Sequence, residues 1–498
     1  MQSHKNFGLL VGVLGFCLLL FISDLDPAKP QLNTMAAIAV LMAILWITEA
    51  IPLAVTSLIP LIFYPLTGIL SGEEIASSYI NSIIFLFLGG FLIAIAMEEW
   101  ELHKRIALKI ISILGGTPVS IIIGFMISGA LLSMWISNTA TALMLLPIGL
   151  SVIKKLEDEL SHEKTHNFSI VLLMAIAYSC TLGGVATLIG TPPNLVLVKM
   201  LNVLFPEAPA ITFGNWMILS LPVSIIMLAI VGVVLTKVIF KIDKEINFNK
   251  NFIEQEYKLL GKFSFEEKAV GLIFFITALL WIFRGNIFLG FITIPGWSNL
   301  LPTADFIDDG TVAITMAFIL FLIPSKSGKR RLLDQTAFNK IPWGIILLFG
   351  GGFALAKGFS STGLSIYIGE QLKGLQDISP LYIIFISAFT ISFLTELTSN
   401  TAVAQMIIPV AASISVAIGL NPLLLMITVT LSASMAFMLP VATPPNTIIF
   451  ASGRIKIFEM AKTGFTLNLI GVIIVSLIVY FLGSTIFNLS EFPLWANP

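Results

Sequence analysis

Apolar runs recur along this chain from Phe7 to Phe487 with only short polar breaks between them, and that pattern leaves few soluble folds open. Of 498 residues, 57% are hydrophobic and 11% charged; ordinary soluble domains hold about 45–50% and about 25%. A soluble protein of this length would split into several domains, each with its own charged surface. The runs instead predict an all-α polytopic membrane protein, each long run being a candidate span. A net charge of −1 gives no field toward nucleic acid. The two cysteines, Cys17 and Cys180, sit in separate apolar runs, and four scattered histidines give no zinc spacing. No His/Asp/Ser constellation points to an enzyme.

A hydrocarbon core about 30 Å thick needs about 20 apolar residues per helix. Full-length candidates are 7–22, 34–50, 52–70, 80–98, 213–240, 269–283, 312–323, 343–358 and 464–487. The first follows a short polar start and no small-x-small cleavage pattern follows it, so it reads as a retained span rather than a signal peptide. Lys and Arg collect on the cytoplasmic side of membrane proteins. With the N-terminus inside, 22 of 27 basic residues fall inside, including Lys104, Arg105 and Lys109, seven lysines between Lys237 and Lys268, and the cluster Lys326, Lys329, Arg330, Arg331 and Lys340. Lys29, Arg284, Lys357 and Lys373 remain outside, and Lys199 falls within a span. This works only if 118–153 and 379–418 enter and leave on one side, the first from inside and the second from outside. About eleven transmembrane helices and two re-entrant hairpins result, with the C-terminus extracytoplasmic. The 237–268 stretch reads as a solvated cytoplasmic loop with some helix, and Leu102 to Lys109 as an amphipathic helix in the interface.

The chain also repeats itself. Phe87-Leu-Gly-Gly-Phe91 recurs as Phe349-Gly-Gly-Gly-Phe353, and Ser137-Asn-Thr-Ala140 as Ser399-Asn-Thr-Ala402, both at an offset of 262 residues. Thr191-Pro-Pro-Asn194 recurs as Thr443-Pro-Pro-Asn446 at an offset of 252. On the charge map, the span with Gly89 and Gly90 runs inward and the one with Gly351 and Gly352 outward. Inverted repeats of this kind are the architecture of many secondary transporters. The expected organisation is an N-terminal span and outside loop (1–33), a first repeat (34–240, hairpin 118–153, unwound span near 186–194), a cytoplasmic linker (241–268), a second repeat (269–487, hairpin 379–418, unwound span near 440–446) and an extracytoplasmic tail (488–498).

A helix broken in hydrocarbon exposes backbone groups, so breaks survive only where protein, water or ligand satisfies them. Four stand out: Ser137-Asn-Thr139, Gly190-Thr-Pro-Pro-Asn194, Ser399-Asn-Thr401 and Ala442-Thr-Pro-Pro-Asn446. Their hydroxyl, amide and carbonyl oxygens suit a hard cation. Helix N-termini, amide N–H groups and hydroxyls suit an anion. No Arg or Lys lies in the four motifs, so an anion would lean on dipoles and co-bound cations. Singly, each motif reads as a cap or a turn; duplicated at apolar depth, they read as a ligand site. Glu396, beside the second Ser-Asn-Thr, has Met134 as its counterpart. It is read as structural, with Lys357 a candidate partner or a place nearer the interface, ahead of ion coupling. Asp305, Asp308 and Asp309 read as solvated loop residues.

The segments Trp46-Ile-Thr-Glu-Ala-Ile-Pro-Leu-Ala-Val-Thr56, Leu132-Ser-Met-Trp-Ile-Ser-Asn-Thr139, Pro342-Trp-Gly, Gly350-Gly-Gly-Phe-Ala-Leu-Ala-Lys357 and Thr395-Glu-Leu-Thr-Ser-Asn-Thr401, with both Thr-Pro-Pro-Asn turns, resemble the divalent anion/sodium symporter family over nearly the whole chain. That family carries dicarboxylates, citrate and sulfate. The resemblance implies a plasma-membrane homodimer working as an elevator-type transporter, with no cofactor and with sodium as coupling ion. It implies one sodium near Ser133, Ser137, Asn138 and Gly190, and another near Thr395, Ser399, Asn400 and Ala442. The small anionic substrate would meet Asn138, Thr139, Asn400 and Thr401, with Thr191, Pro192, Thr443 and Pro444 at the wall. Thr401 resembles dicarboxylate carriers, which favours a C4 dicarboxylate such as succinate. A sodium-independent exchanger and a sulfate or citrate symporter are the alternatives, and an ion channel is the competing class.

Overall fold

A computed structural model describes residues 2–22, 24–160, 162–242, 251–288, 292–326, 328, 330–372, 374 and 376–496. Lys244, Lys250, Lys329 and Lys373 of the orientation argument lie outside the described residues, as do parts of the expected linker and tail. Among the described residues the named elements are helices apart from a two-stranded antiparallel ribbon, Ile287–Phe288 with Thr293–Ile294.

Helices α1 (Gln2–Phe21) and α2 (Pro30–Thr48) pack as a pair. Within the expected span 52–70 lies a short apolar helical stretch, Leu53–Thr67, interrupted after Thr56 into α3 (Leu53–Thr56) and α4 (Ile59–Thr67), where Pro60 has no N–H for the Thr56 carbonyl. Then come α5 (Gly72–Tyr79), α6 (Ser82–Glu99), α7 (Leu102–Leu114), α8 (Pro118–Ser133) and α9 (Asn138–Glu159). Next are α10 (His162–Val185), α11 (Pro192–Leu204), α12 (Phe213–Val233), α13 (Asn251–Leu259), α14 (Phe265–Ile282) and α15 (Asp309–Leu322). The order is completed by α16 (Trp343–Thr362), α17 (Leu364–Gln371), α18 (Pro380–Leu394), α19 (Asn400–Ala417), α20 (Pro422–Ala433), α21 (Pro444–Phe450), α22 (Ile457–Ile478) and α23 (Ser484–Phe487). Among the described residues, eight helical stretches are long and apolar enough to cross a membrane. One is Glu163–Val185, whose apolar window is wholly buried, so α10 is a central strut of the packed helices.

The side chains form two apolar cores. The smaller joins α2 to α5 with α16 and α17, and the larger takes in most of the remaining helices. Gly89 in the first Gly-Gly motif lets α6 close on α15: a Cβ there would lie 2.6 Å from the Ala313 backbone.

Two polar expectations need correction. On the α7 helix expected in the interface, Arg105 is buried, with its Nε 2.6 Å from Glu267 Oε1 and its guanidinium donating to the Leu260 and Gly261 carbonyls. Glu267 raises the Arg105 pKa further. The 251–268 segment is therefore docked against α7 rather than simply solvated. Asp309 is also buried, in an ion pair with Arg284, while Asp308 caps α15 through the Thr311 amide at 2.7 Å. Of the three aspartates only Asp305 is exposed.

Candidate functional site

Each half builds its site from a helix turn and a helix break. In the first half, Ser137 caps α9 by accepting from the Ala140 amide at 3.1 Å, and the Ser133 hydroxyl donates to Asn138 Oδ1. The break lies between α10 and α11, where Pro192 occupies a first-turn position that needs no N–H donor. Carbonyls freed by the break find local donors. Asn194 Nδ2 donates to Thr187 O at 2.7 Å and Val185 O at 3.2 Å. Ser220 and Ser224 of α12 donate to Ala186 O at 2.9 Å and Leu182 O at 2.7 Å. Thr187 ties break to turn: its hydroxyl donates to Met134 O at 2.5 Å and accepts from the Gly190 amide at 3.1 Å.

The second half reaches a similar arrangement with one substitution. Thr395 Oγ1 lies 2.7 Å from Asn400 Oδ1 and 2.8 Å from Ala433 O. Asn446 Nδ2 donates to Leu439 O at 3.1 Å, matching Asn194. Here, however, the broken chain presents N–H groups as well, and Glu396 collects them. Its Oε1 accepts from the Phe437 and Met438 amides at 2.7 and 2.9 Å, and its Oε2 from Leu439 at 3.0 Å. Asn468 Nδ2 adds a fourth bond at 2.7 Å. Its partners are these four donors and not Lys357, whose ammonium donates to Glu74 O at 2.9 Å. The side chain is buried, 2% exposed. Sequence pattern hid this because the four donors lie 41 to 72 positions away.

All four motifs meet in one cavity of about 960 Å³. Ser137, Asn138 and Thr139 line it with Gly190, Thr191 and Pro192; Ser399, Asn400 and Thr401 line it with Ala442, Thr443 and Pro444. Ser133 and Thr395 do not line it and sit one layer behind, each bonded to its motif asparagine. Helices α9, α11, α19 and the short α21 all begin at this cavity, so their positive ends face it. The opposite wall holds residues the site reading omitted, among them Lys5, Thr48, Glu49, Phe87 and Leu348. Thr48, Glu49 and Phe87 belong to segments already conspicuous in the sequence, which was the available signal; Lys5 carried none.

The donor set fits a hard monovalent cation in both halves. At Thr395 a single hydroxyl proton faces two acceptor oxygens, so the cluster is richer in lone pairs than in protons. A Cβ on Gly184 would lie 2.6 Å from Asn138 Oδ1 and 2.9 Å from Gly190 O, which brings those two oxygens together around a backbone with no side chain. Every candidate ligand is neutral oxygen, which suits an ion that must bind and leave.

Residues 3–489 match the family described as the sodium:sulfate symporter transmembrane region. The chain belongs to that family. Similar members include the sodium-dependent dicarboxylate transporter SdcS of Staphylococcus saprophyticus, 44% identical over 483 residues, 95% of this chain and 91% of the relative. The protein of the same name from Staphylococcus aureus MRSA252 is 45% identical over 490 residues, 97% and 92% of the two chains. Among solved structures, the YdaH transporter of Alcanivorax borkumensis superposes with a TM-score of 0.56 at 11% identity, covering 84% of this chain and 88% of that one. MtrF of Neisseria gonorrhoeae gives 0.57 at 11%, with 90% and 96% covered. At that identity the two share a fold with this symporter-family chain and nothing finer.

Proposed function

We propose that this protein is a secondary active transporter coupling sodium to the uptake of C4 dicarboxylates such as succinate, fumarate or malate. The observation that carries the reading is the meeting of both Ser-Asn-Thr turns and both Thr-Pro-Pro breaks in one cavity. Family membership and relatives named for sodium-dependent dicarboxylate transport support it. One sodium is held by Ser133, Ser137, Asn138 and the Gly190 carbonyl, the other by Thr395, Ser399, Asn400 and the Ala442 carbonyl. The substrate carboxylates meet Asn138, Thr139, Asn400 and Thr401, with Thr191, Pro192, Thr443 and Pro444 closing the wall. Sodium supplies the positive charge that these motifs lack, so ion and anion binding are coupled through the shared asparagines.

The finer architecture belongs to the same reading. Eleven crossings and two re-entrant hairpins (118–153 and 379–418) form inverted repeats 34–240 and 269–487 around a linker at 241–268, with 1–33 and 488–498 flanking them. The N-terminus is cytoplasmic, the C-terminus extracytoplasmic, and the protein is a homodimer whose site-bearing part moves like an elevator. Lys5 and Glu49 at the cavity wall then mark a cytoplasmic mouth.

The deciding experiment is uptake of labelled succinate into proteoliposomes with and without an inward sodium gradient. Sodium-driven uptake, inhibited by excess fumarate or malate, is expected. Uptake that needs internal dicarboxylate and ignores sodium would make the protein an exchanger. Sodium-driven uptake of sulfate or citrate but not succinate would refute the substrate class.

A further inference from the structure

The cavity is bounded on one side by the starts of α11 and α16, and both helices run away from it. Thr191 and Pro192 line the cavity where α11 begins, and Ile345 and Leu348 where α16 begins. The two helices pack together beyond that point. Each carries one lysine five residues before its end: Lys199, with α11 ending at Leu204, and Lys357, with α16 ending at Thr362. Lys199 lies about 10 Å along α11 from Pro192, and Lys357 about 13 Å along α16 from Leu348. Both ammonium groups therefore sit at a similar level beyond the cavity, on the side away from its Lys5 and Glu49 wall.

Their surroundings account for only one of them. Both are half-buried, and they stand at a similar level on two helices that pack together. Lys357 donates to the Glu74 carbonyl at 2.9 Å and feels the Glu74 carboxylate. Among the described residues, Lys199 has no hydrogen-bond acceptor and no carboxylate partner. Helical lysines at such depth are costly and generally tied to a pathway. Two like charges on packed helices with one acidic neighbour leave one uncompensated positive charge, which attracts an anion.

We propose that Lys199 and Lys357 form a second anion site, the outer vestibule through which the dicarboxylate dianion passes when the α11/α16 seam opens. This rests on the transport reading above. With the seam closed, neither lysine lines the cavity. With it open, they line the route into the cavity and raise the local concentration of a divalent anion. The motif site then needs no basic residue of its own, because capture and binding occur at separate levels. The arrangement is one-sided: the other mouth carries Lys5 offset by Glu49.

The test is initial-rate transport of labelled succinate in right-side-out and inside-out vesicles, at low and high ionic strength, with Lys199→Gln, Lys357→Gln and the double variant. The expected result is a KM raised roughly threefold or more on one face only, largest at low ionic strength. The maximal rate, sodium dependence and opposite-face KM should stay within about twofold of wild type, and Lys→Arg variants should restore KM. Lys199→Gln removes no hydrogen bond, so it stays informative if Lys357→Gln folds poorly. An equal rise on both faces, or no change in the double variant, would overturn the vestibule alone. Wild-type vesicles lacking sodium-driven uptake would overturn the transport reading with it.

Discussion

Glu396→Gln is the perturbation that best separates a structural carboxylate from a coupling one. The side chain is buried and receives four hydrogen bonds, three on Oε1 and one on Oε2. Glutamine keeps one acceptor oxygen and replaces the other with an amide NH2, a donor only. If the oxygen takes the Oε1 position, the NH2 meets the Leu439 N–H donor to donor. One charge-assisted bond is lost, worth about 1.5–3 kcal/mol, and the remaining three weaken to neutral strength. Relief of the buried charge offsets part of this, leaving a net loss of roughly 2–3 kcal/mol. In a chain of this length that should lower the apparent melting temperature of the detergent-solubilised protein by roughly 2–6 °C. Uptake should still require sodium, because Thr395, Ser399 and Asn400 are untouched, even if the concentration for half-maximal uptake moves with the lost charge. A variant of wild-type thermal stability whose uptake no longer responds to sodium would refute the reasoning and make Glu396 a coupling residue.

Three further outcomes are expected. Asn138→Ala and Asn400→Ala should each abolish sodium-dependent uptake while inserting normally, since each asparagine bonds a proposed sodium ligand and faces the cavity; normal uptake in both would sink the site. Gly184→Ala should fold yet lose at least about tenfold in sodium affinity, because its Cβ would crowd the Asn138 amide at 2.6 Å and 2.9 Å; unchanged sodium dependence in uptake assays would show that this cradle holds no ion. Arg105→Lys should cost about 1–3 kcal/mol, since a point-charge ammonium cannot serve Glu267 and two carbonyls together; thermal unfolding with Glu267→Gln in a double-mutant cycle should show coupling, and additive losses would refute it.

The motifs were legible because a broken helix at apolar depth is a local statement: proline, hydroxyl and amide residues inside an apolar run need no tertiary contact to look costly. Their duplication extended that statement to the pairing of two halves, and the structure brings all four breaks into one cavity. What stayed hidden was how each break is satisfied. The first exposes mainly carbonyls and is answered by amide and hydroxyl donors, Asn194, Ser220 and Ser224. The second also exposes three N–H groups and is answered by an acceptor, Glu396.

Whether a break presents donors or acceptors depends on backbone direction around the turn, which residue types leave open. The same limit applied to Asp309 and Arg105, whose partners Arg284 and Glu267 stand 25 and 162 positions away. A charge near a predicted helix end looks solvated until the fold supplies its counterion. In this chain the informative departures from symmetry, Glu396 against Met134 above all, are therefore where the two halves solve one backbone problem with opposite hydrogen-bond polarity. That asymmetry gives the second half a buried anion beside its proposed sodium site and leaves the first half without one. If it acts on the ions, the second site should bind sodium more tightly, and Asn400→Ala should cost more sodium affinity than Asn138→Ala wherever residual binding can be measured. Equal losses would mean that the four hydrogen bonds on Glu396 screen its charge completely.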